Sequence, residues 1–456
     1  MRPKLDWGLS HSHTKDSVTL SFRYILRLWL PLMATWLLMA VSYQIVATMV
    51  ATLPDPKVNL AAFGIASAIG LIVEAPIVMM TNAASALCHD QQRYRLVFRN
   101  NLILNLIVTV IMAVLSYPPL FDWMAGSLMG IEANVVDSSR TALIWLVPWP
   151  AAIGMRRFYQ GIALSSGAVR QITISGTARV LATGLACLGT SKSGLFSGAE
   201  VGCAGLTAGV VAEWLAVRFI ARRTIRQVAH RRSEGEPLTQ KVFWKFYYPL
   251  IITAYISLGT EPIVTFFLGR SVASIESLAV LPVIGTFIFA FASFSLALQD
   301  ATVAMLGMGA EATRKVAKFA LAMSALLAIL IWALAYTPLV DLWLTDIAGL
   351  TPELATFARM PLRIAAPIPI ISMLFCYLVA GNIHRHRTAK VTLASASEAL
   401  IIVTIAWLGL SITKEPGALI MTTALLLGRL ASTGYLAWQN QVDTNRLARV
   451  AEHQLD

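Results

Sequence analysis

The sequence predicts an all-α membrane protein of about twelve transmembrane helices in two like-oriented six-helix repeats. Three observations carry that expectation: a succession of long apolar segments, one basic hydrophilic stretch near the middle, and a repeat relating the two sides of that stretch. Of the 456 residues 57% are apolar and 13% charged, with mean hydropathy +0.68. Soluble domains carry about 25% charged residues.

The apolar segments lie at 24–51, 58–87, 102–119, 141–164, 172–189, 201–220, 242–268, 278–308, 316–337, 361–380, 391–410 and 418–438. A helix needs about 20 such residues to cross a bilayer. Open sheets cannot cross lipid, and no alternating strand pattern suggests a barrel.

Between the sixth and seventh segments runs ARRTIRQVAHRRSEGEPLTQKVFWK, in which seven arginines and lysines face only two acids, Glu234 and Glu236. The sequence before this stretch recurs after it. Leu115, Tyr117, Pro119, Leu120 and Asp122 return as Leu334, Tyr336, Pro338, Leu339 and Asp341. The same offset takes Gly130 to Gly349 and Arg140 to Arg359. One residue less takes Pro31 to Pro249 and Leu60 to Leu278. A shared apolar composition would not keep Pro, Gly, Tyr, Asp and Arg in one register, so the chain is duplicated. The expected division is a first lobe at 1–221, a basic linker at 222–241 and a second lobe at 242–456.

Charge sets the expected topology. Arg93, Arg95, Arg99, Arg170, Arg314, Lys315, Lys318, Arg385, Arg387 and Lys390 fall between alternate segments, on the side of the linker. The other connections carry Asp55, Asp122, Glu132, Asp137, Asp341, Asp346 and Glu353. That alternation predicts a cell (inner) membrane protein with both termini in the cytoplasm. The net charge of +12 is then a topology signal, with attraction to anionic lipids at the cytoplasmic face as a consequence, and no nucleic-acid partner is implied.

Cys88, Cys187, Cys203 and Cys376 have no paired spacing, and neither a disulfide framework nor a metal site is expected. His11 and His13 read as a solvated tail, in an N-terminal stretch too polar for the core of a cleaved signal. No phosphate-binding glycine loop, nucleophile elbow or metalloprotease motif is present, so neither an enzyme nor a cofactor is predicted.

Segments four and ten each contain Pro-x-Pro, at Pro148 and Pro150 and at Pro367 and Pro369. Prolines there loosen the carbonyls of Ile144, Leu146, Arg363 and Ala365. Interrupted helices at matching places of two repeats point to a transporter's binding region, and a packing kink is the plainer alternative.

Ionisable residues at membrane depth each need a reason. Arg179 and Glu213 lie at matched depth in segments five and six, and Glu398 and Arg429 repeat this with signs exchanged. Each couple reads as one structural ion pair; a pair alone predicts that Arg179→Glu is rescued by Glu213→Arg. Arg363, Arg359, Arg140, Arg157, Asn82 and Asp300 are the candidate substrate contacts, Asn82 and Asp300 being equivalent in the repeat. Snorkelling at the interface is the competing account for the arginines. Glu74 and Glu261 are candidates for ion coupling.

The end of segment four, RRFYQGIALSSGAVRQ, resembles the R-x-x-x-Q-G…G-x-x-R stretch of drug/cation antiporters of the MATE group. About twelve spans in two like-oriented halves are similar to the multidrug and oligosaccharidyl-lipid/polysaccharide exporter superfamily. Within it, Leu60-Ala-Ala-Phe-Gly-Ile-Ala66, Tyr248-Pro-Leu250 with Glu261-Pro-Ile-Val264, and Pro361-Leu-Arg-Ile364 before Pro367-Ile-Pro369 resemble the progressive ankylosis protein (ANK) family. The resemblance implies two V-shaped lobes alternating access to a central cavity, and export of organic anions such as citrate-like acids, nucleotides or pyrophosphate-type metabolites. It carries over Arg363, inside the matching Pro-Leu-Arg. The antiporter group often relies on an acid in the first span, whereas 28–52 holds none; another branch uses acids in spans seven and ten, and Glu261 matches only the first. A proton- or sodium-coupled multidrug antiporter and a lipid-linked precursor flippase stand as the alternatives.

Overall fold

A computed structural model describes residues 22–166, 168–233, 237–306, 310–385 and 387–452. His11 and His13 lie outside the described residues. The described chain is helical throughout, with no strand beyond an isolated bridge between Val272 and Pro416.

The first half runs α1 (Phe22–Thr52), α2 (Pro56–Val78), α3 (Met80–Leu87), α4 (Gln91–Leu115), α5 (Pro118–Asp122), α6 (Ala133–Trp145), α7 (Trp149–Ser165), α8 (Val169–Ser193) and α9 (Gly198–Ile220). The linker forms α10 (Arg222–His230). The second half runs α11 (Gln240–Leu258), α12 (Thr260–Gly269), α13 (Ser274–Met305), α14 (Ala310–Tyr336), α15 (Leu339–Asp341), α16 (Pro352–Ala365), α17 (Ile368–His384), α18 (Thr388–Ile412) and α19 (Gly417–Glu452). A π-helical turn follows α5 at Trp123–Leu128 and another follows α15 at Leu342–Ile347.

Local chemistry sets the boundaries. Ser197 and Glu200 form a capping box at the start of α9, and Asp90, Thr239 and Thr351 cap α4, α11 and α16 with their side chains. Among the described residues eleven helical stretches are long and apolar enough to cross a membrane. The twelfth expected span, the fourth in order, is not continuous: it is cut between α6 and α7 at Pro148 into pieces of 13 and 17 residues. Span ten breaks at the equivalent Pro367, between α16 and α17. Spans two and seven also break, at Met79 and Gly259, neither of which the apolar pattern announces.

Three of the four carbonyls expected to be loosened by the prolines are taken up again. Ile144 O accepts from the Val147 amide and Leu146 O from the Trp149 amide, while Arg363 O accepts from the Tyr336 hydroxyl at 2.7 Å. The breaks redirect the helices and leave these carbonyls engaged within the protein.

Around the outside, α4, α8, α14 and α18 expose Leu106, Val110, Leu181, Leu185, Leu321, Ile329, Leu400 and Trp407, an apolar girdle suited to lipid. Inside, α1 and α2 of the first half pack on α13 of the second. The fold is that of a multi-pass helical membrane protein.

The linker is held against the first half. The Gln91 amide donates to Arg231 O at 3.0 Å and the Gln92 amide to the Ser233 hydroxyl at 3.2 Å. The Gln92 side chain pairs with both the amide and the carbonyl of Leu238, and Ser233 donates to Asp90 Oδ1 at 2.8 Å. Burial alone would raise the Asp90 carboxyl; the Arg93 amide, the Ser233 hydroxyl and the Arg93 guanidinium outweigh it and hold it below the usual range. A depressed carboxylate contributes stability that is present above its unfolded pKa and lost as pH falls through its folded one. The clasp should therefore hold from neutrality down to about pH 4 and open below that. Asp90→Asn is expected to open it at neutral pH, read as faster tryptic cleavage after Arg231 and Arg232.

Candidate functional site

The deepest charged cluster lies in the first half, where α7, α8 and α9 meet α2 and α1. Arg156 and Gln160 stand one turn apart on α7 and both reach Glu213 of α9. Arg156 Nη1 donates to Glu213 Oε2 at 2.7 Å, and Gln160 Nε2 donates to Oε1 at 3.0 Å. Arg179 of α8 donates to the same Oε2 at 3.4 Å. Arg156, Arg179 and Glu213 are 4%, 3% and 4% exposed, so all three lie inside the protein. The expected Arg179–Glu213 pair is thus half of a three-residue arrangement in which Arg156 is the nearer cation. Such burial is sustained only when both carboxylate oxygens are satisfied, which Arg156, Arg179 and Gln160 do together.

Glu74 of α2, 6% exposed, lies within electrostatic reach of Arg157, Arg156 and Arg179. Its Oε2 is buried without a hydrogen-bond partner, and so is Arg157 Nε. Among the described residues neither Glu74 nor Arg157 forms an ion pair. Arg157 follows Arg156 on the helix and is turned to a different, partly accessible side. Three arginines against two glutamates leave the cluster with one positive charge in excess.

The cluster reaches the second half through Tyr43 of α1. The Arg179 guanidinium stands 5.5 Å from the centre of the Tyr43 ring, which also makes a T-shaped contact with Phe289 of α13 at 6.0 Å. Glu261 of α12 lies within electrostatic reach of the same phenol, as do Glu74 and Arg156. Glu261 of α12 and Asp300 of α13 are both exposed. Asp300 accepts from Trp36 Nε1 at 3.3 Å across the two halves, and the equivalent Asn82 is likewise accessible.

The remaining expected contacts go elsewhere. Arg140 binds both oxygens of Asp122, at 2.8 and 3.0 Å, and also Asp137. Arg359 repeats this with Asp341 at 2.8 Å. Both arginines fasten a loop to its own helix, and their charge is spent there. Arg363 Nε donates to Ala335 O at 3.2 Å, at the end of α14. All three therefore have partners within their own halves, Arg140 and Arg359 on aspartates and Arg363 on a backbone carbonyl. In the second half Arg429 meets Glu398 at 3.0 Å, lies 4.7 Å over the Phe375 ring, and Ser432 donates to the other Glu398 oxygen.

Depth alone singled out Arg179, Glu213 and Glu74 in the sequence. Tyr43 and Gln160 were missed; Gln160 carried a signal, one turn from Arg156 on the face turned to α9.

No protein-family model matches this chain, and no curated protein does. Solved structures do. An inward-facing multidrug resistance MATE family transporter of the MOP superfamily matches with TM-score 0.70 and 13% identity over 89% of this chain and 95% of that one. An outward-facing structure of such a transporter matches with TM-score 0.60 and 14% identity, over 92% and 95% of the two chains. The fold is MATE-like. A MOP superfamily transporter from Pyrococcus furiosus, described as having a binding pocket of reverse polarity that suggests a different function, matches with TM-score 0.61 and 14% identity over 91% and 94%. At such identities the likeness is one of fold. A MATE-like fold leaves the chemistry of the cavity to the side chains just described.

Proposed function

We propose that this chain is an alternating-access membrane transporter that exports an organic anion through a cavity between two lobes, residues 1–221 and 242–456. The observation that carries the anion reading is the buried cluster of Arg156, Arg157 and Arg179 against Glu74 and Glu213. One uncompensated cation inside a membrane protein is costly, and an arriving carboxylate or phosphate relieves it. Arg157 is the contact we assign, since Glu213 already occupies the other two arginines. The guanidinium offers a carboxylate or phosphate a forked pair of donors. The structural neighbour from Pyrococcus furiosus, with its reversed pocket polarity, is in keeping with a MATE-like fold turned to a different cargo. We place the linker and both termini in the cytoplasm of a cell (inner) membrane from the charge alternation along the sequence.

A second reading has its own support. Glu261 and Asp300 are exposed carboxylates on spans of the second half, the chemistry of a coupling cation or a cationic drug. We assign them to ion coupling in the anion reading and to the substrate in the multidrug one.

Proteoliposome counterflow separates the two. Labelled citrate or nucleotide should exchange, and Arg157→Gln should weaken it about 10- to 100-fold, the loss of a charged hydrogen bond worth about 1.5–3 kcal/mol. Ethidium flux abolished by Glu261→Gln and untouched by Arg157→Gln would favour the drug reading and overturn ours.

A further inference from the structure

At the end of the molecule away from the linker, each half carries a loop of the same construction. The π-helical turns at Trp123–Leu128 and Leu342–Ile347 each lead into a glycine of positive φ, Gly130 at 73° and Gly349 at 72°. L side chains rarely adopt that conformation, which is why the repeat keeps glycine at both places. Each loop is seated against the opposite half.

The seating is reciprocal, with equivalent carbonyls as acceptors and different donors. Ile347 O accepts from the Thr48 hydroxyl of α1 at 2.7 Å. Leu128 O, its repeat equivalent, accepts from Arg270 at the end of α12. A Cβ on Gly349 would stand 2.7 Å from Thr52 Cγ2, and one on Gly269 would stand 2.7 Å from Met129 O. Thr52 and Arg270 are themselves equivalent, 218 positions apart. Beside this pair of contacts Lys57, in the first turn of α2, donates to Glu276 at 3.1 Å and to Glu353 at 3.2 Å, in the first turns of α13 and α16. Those carboxylates belong to two different spans of the second half, so one ammonium ties α2 to both.

We infer that these two loops and the Lys57 bridge form a reciprocal latch that holds the two halves together at the end away from the linker. Each loop presents the carbonyl of the last residue of its π-helical turn, which lacks a partner within the helix, and the opposite half supplies the donor. The two hydrogen bonds fix direction, the two glycines allow backbone approach, and the ion pairs add attraction that salt weakens, since Glu353 is largely exposed. Opening a passage at that end must break all of these contacts, while opening one at the linker end breaks none of them.

Spin labels at Glu132 and Asp346, exposed on the two loops, report the separation across the latch in the full-length protein. The expected distribution is short and narrow. Lys57→Glu, which sets three carboxylates together, should raise the population of longer distances about five-fold. Thr48→Val removes one donor at nearly constant volume and should shift the same population in the same direction, which guards against a Lys57 variant that folds poorly. An unchanged distribution in folded samples of both variants would overturn the latch. The measurement uses no substrate, so it can fail while the anion reading stands, and counterflow can fail while the latch stands.

Discussion

Glu213→Gln is expected to lower stability by about 3–5 kcal/mol, the largest single-residue effect in this protein. The carboxylate accepts from Arg156, Arg179 and Gln160, all held on separate helices or turns around it. Glutamine keeps the shape but removes the charge, leaving two buried guanidiniums without the carboxylate they bond. The loss should be visible as reduced monodisperse yield in detergent and a lowered melting temperature. A charge reversal also tests the arrangement. With only two partners, Arg179→Glu and Glu213→Arg together would restore the fold. Here Arg156, the nearer cation at 2.7 Å, would then face a new arginine, and rescue is expected to fail. Arg156→Gln should cost more than Arg179→Gln, following their distances of 2.7 and 3.4 Å. Full rescue by the double exchange would show that Arg156 does not share the carboxylate.

Gly209→Val is expected to destabilise by about 3 kcal/mol or more, at the upper end of overpacking effects. A Cβ at Gly209 would collide with the Thr183 hydroxyl and stand 3.2 Å from Arg179 O. Helices α8 and α9 approach closely because glycine lets them, and small residues are how membrane helices gain packing without a hydrophobic drive. Gly209 lies one turn before Glu213, so pushing α9 away from α8 also pulls the carboxylate from Arg179. Gly428→Val makes the same collision in the repeat, against Ile402 and Glu398. It should destabilise similarly while leaving the cluster of the first half intact. Measured melting temperatures and anion counterflow together distinguish them: both variants melt early, and only Gly209→Val adds a transport defect in the surviving folded fraction. Equal stability of Gly209→Val and the parent protein would contradict the packing described.

Much of the fold was legible because its signals are periodic or long. Apolar runs mark spans, and a constant offset marks the duplication, down to Asp122 and Arg140 returning as Asp341 and Arg359 with the same spacing of 18. What those arginines do was not legible. Depth places an arginine near an interface without saying which neighbour it turns to, and in both halves that neighbour is an aspartate on the preceding loop. Arg156 and Arg157 show the same limit more sharply. Adjacent helical residues point about 100° apart, so which of the two meets Glu213 depends on the rotation of α7, set by packing. The breaks at Met79 and Gly259 each have a proline three residues away, Pro76 and Pro262, but a lone proline inside a span marks a kink and a full break alike, and a π-helical turn has no residue signature at all.

The clasp at the linker has a mechanical consequence. Leu238 is fixed by Gln92 of the first half, and α11 of the second half begins at Gln240. Only Thr239 lies between, and its hydroxyl is already engaged with the Val242 amide as the cap of that helix. The covalent connection therefore has one residue of slack. With a long loose tether, the second half could slide away from the first in any direction. With a single joint, the motion left to it is rotation about that point, with the greatest travel at the end farthest from Thr239.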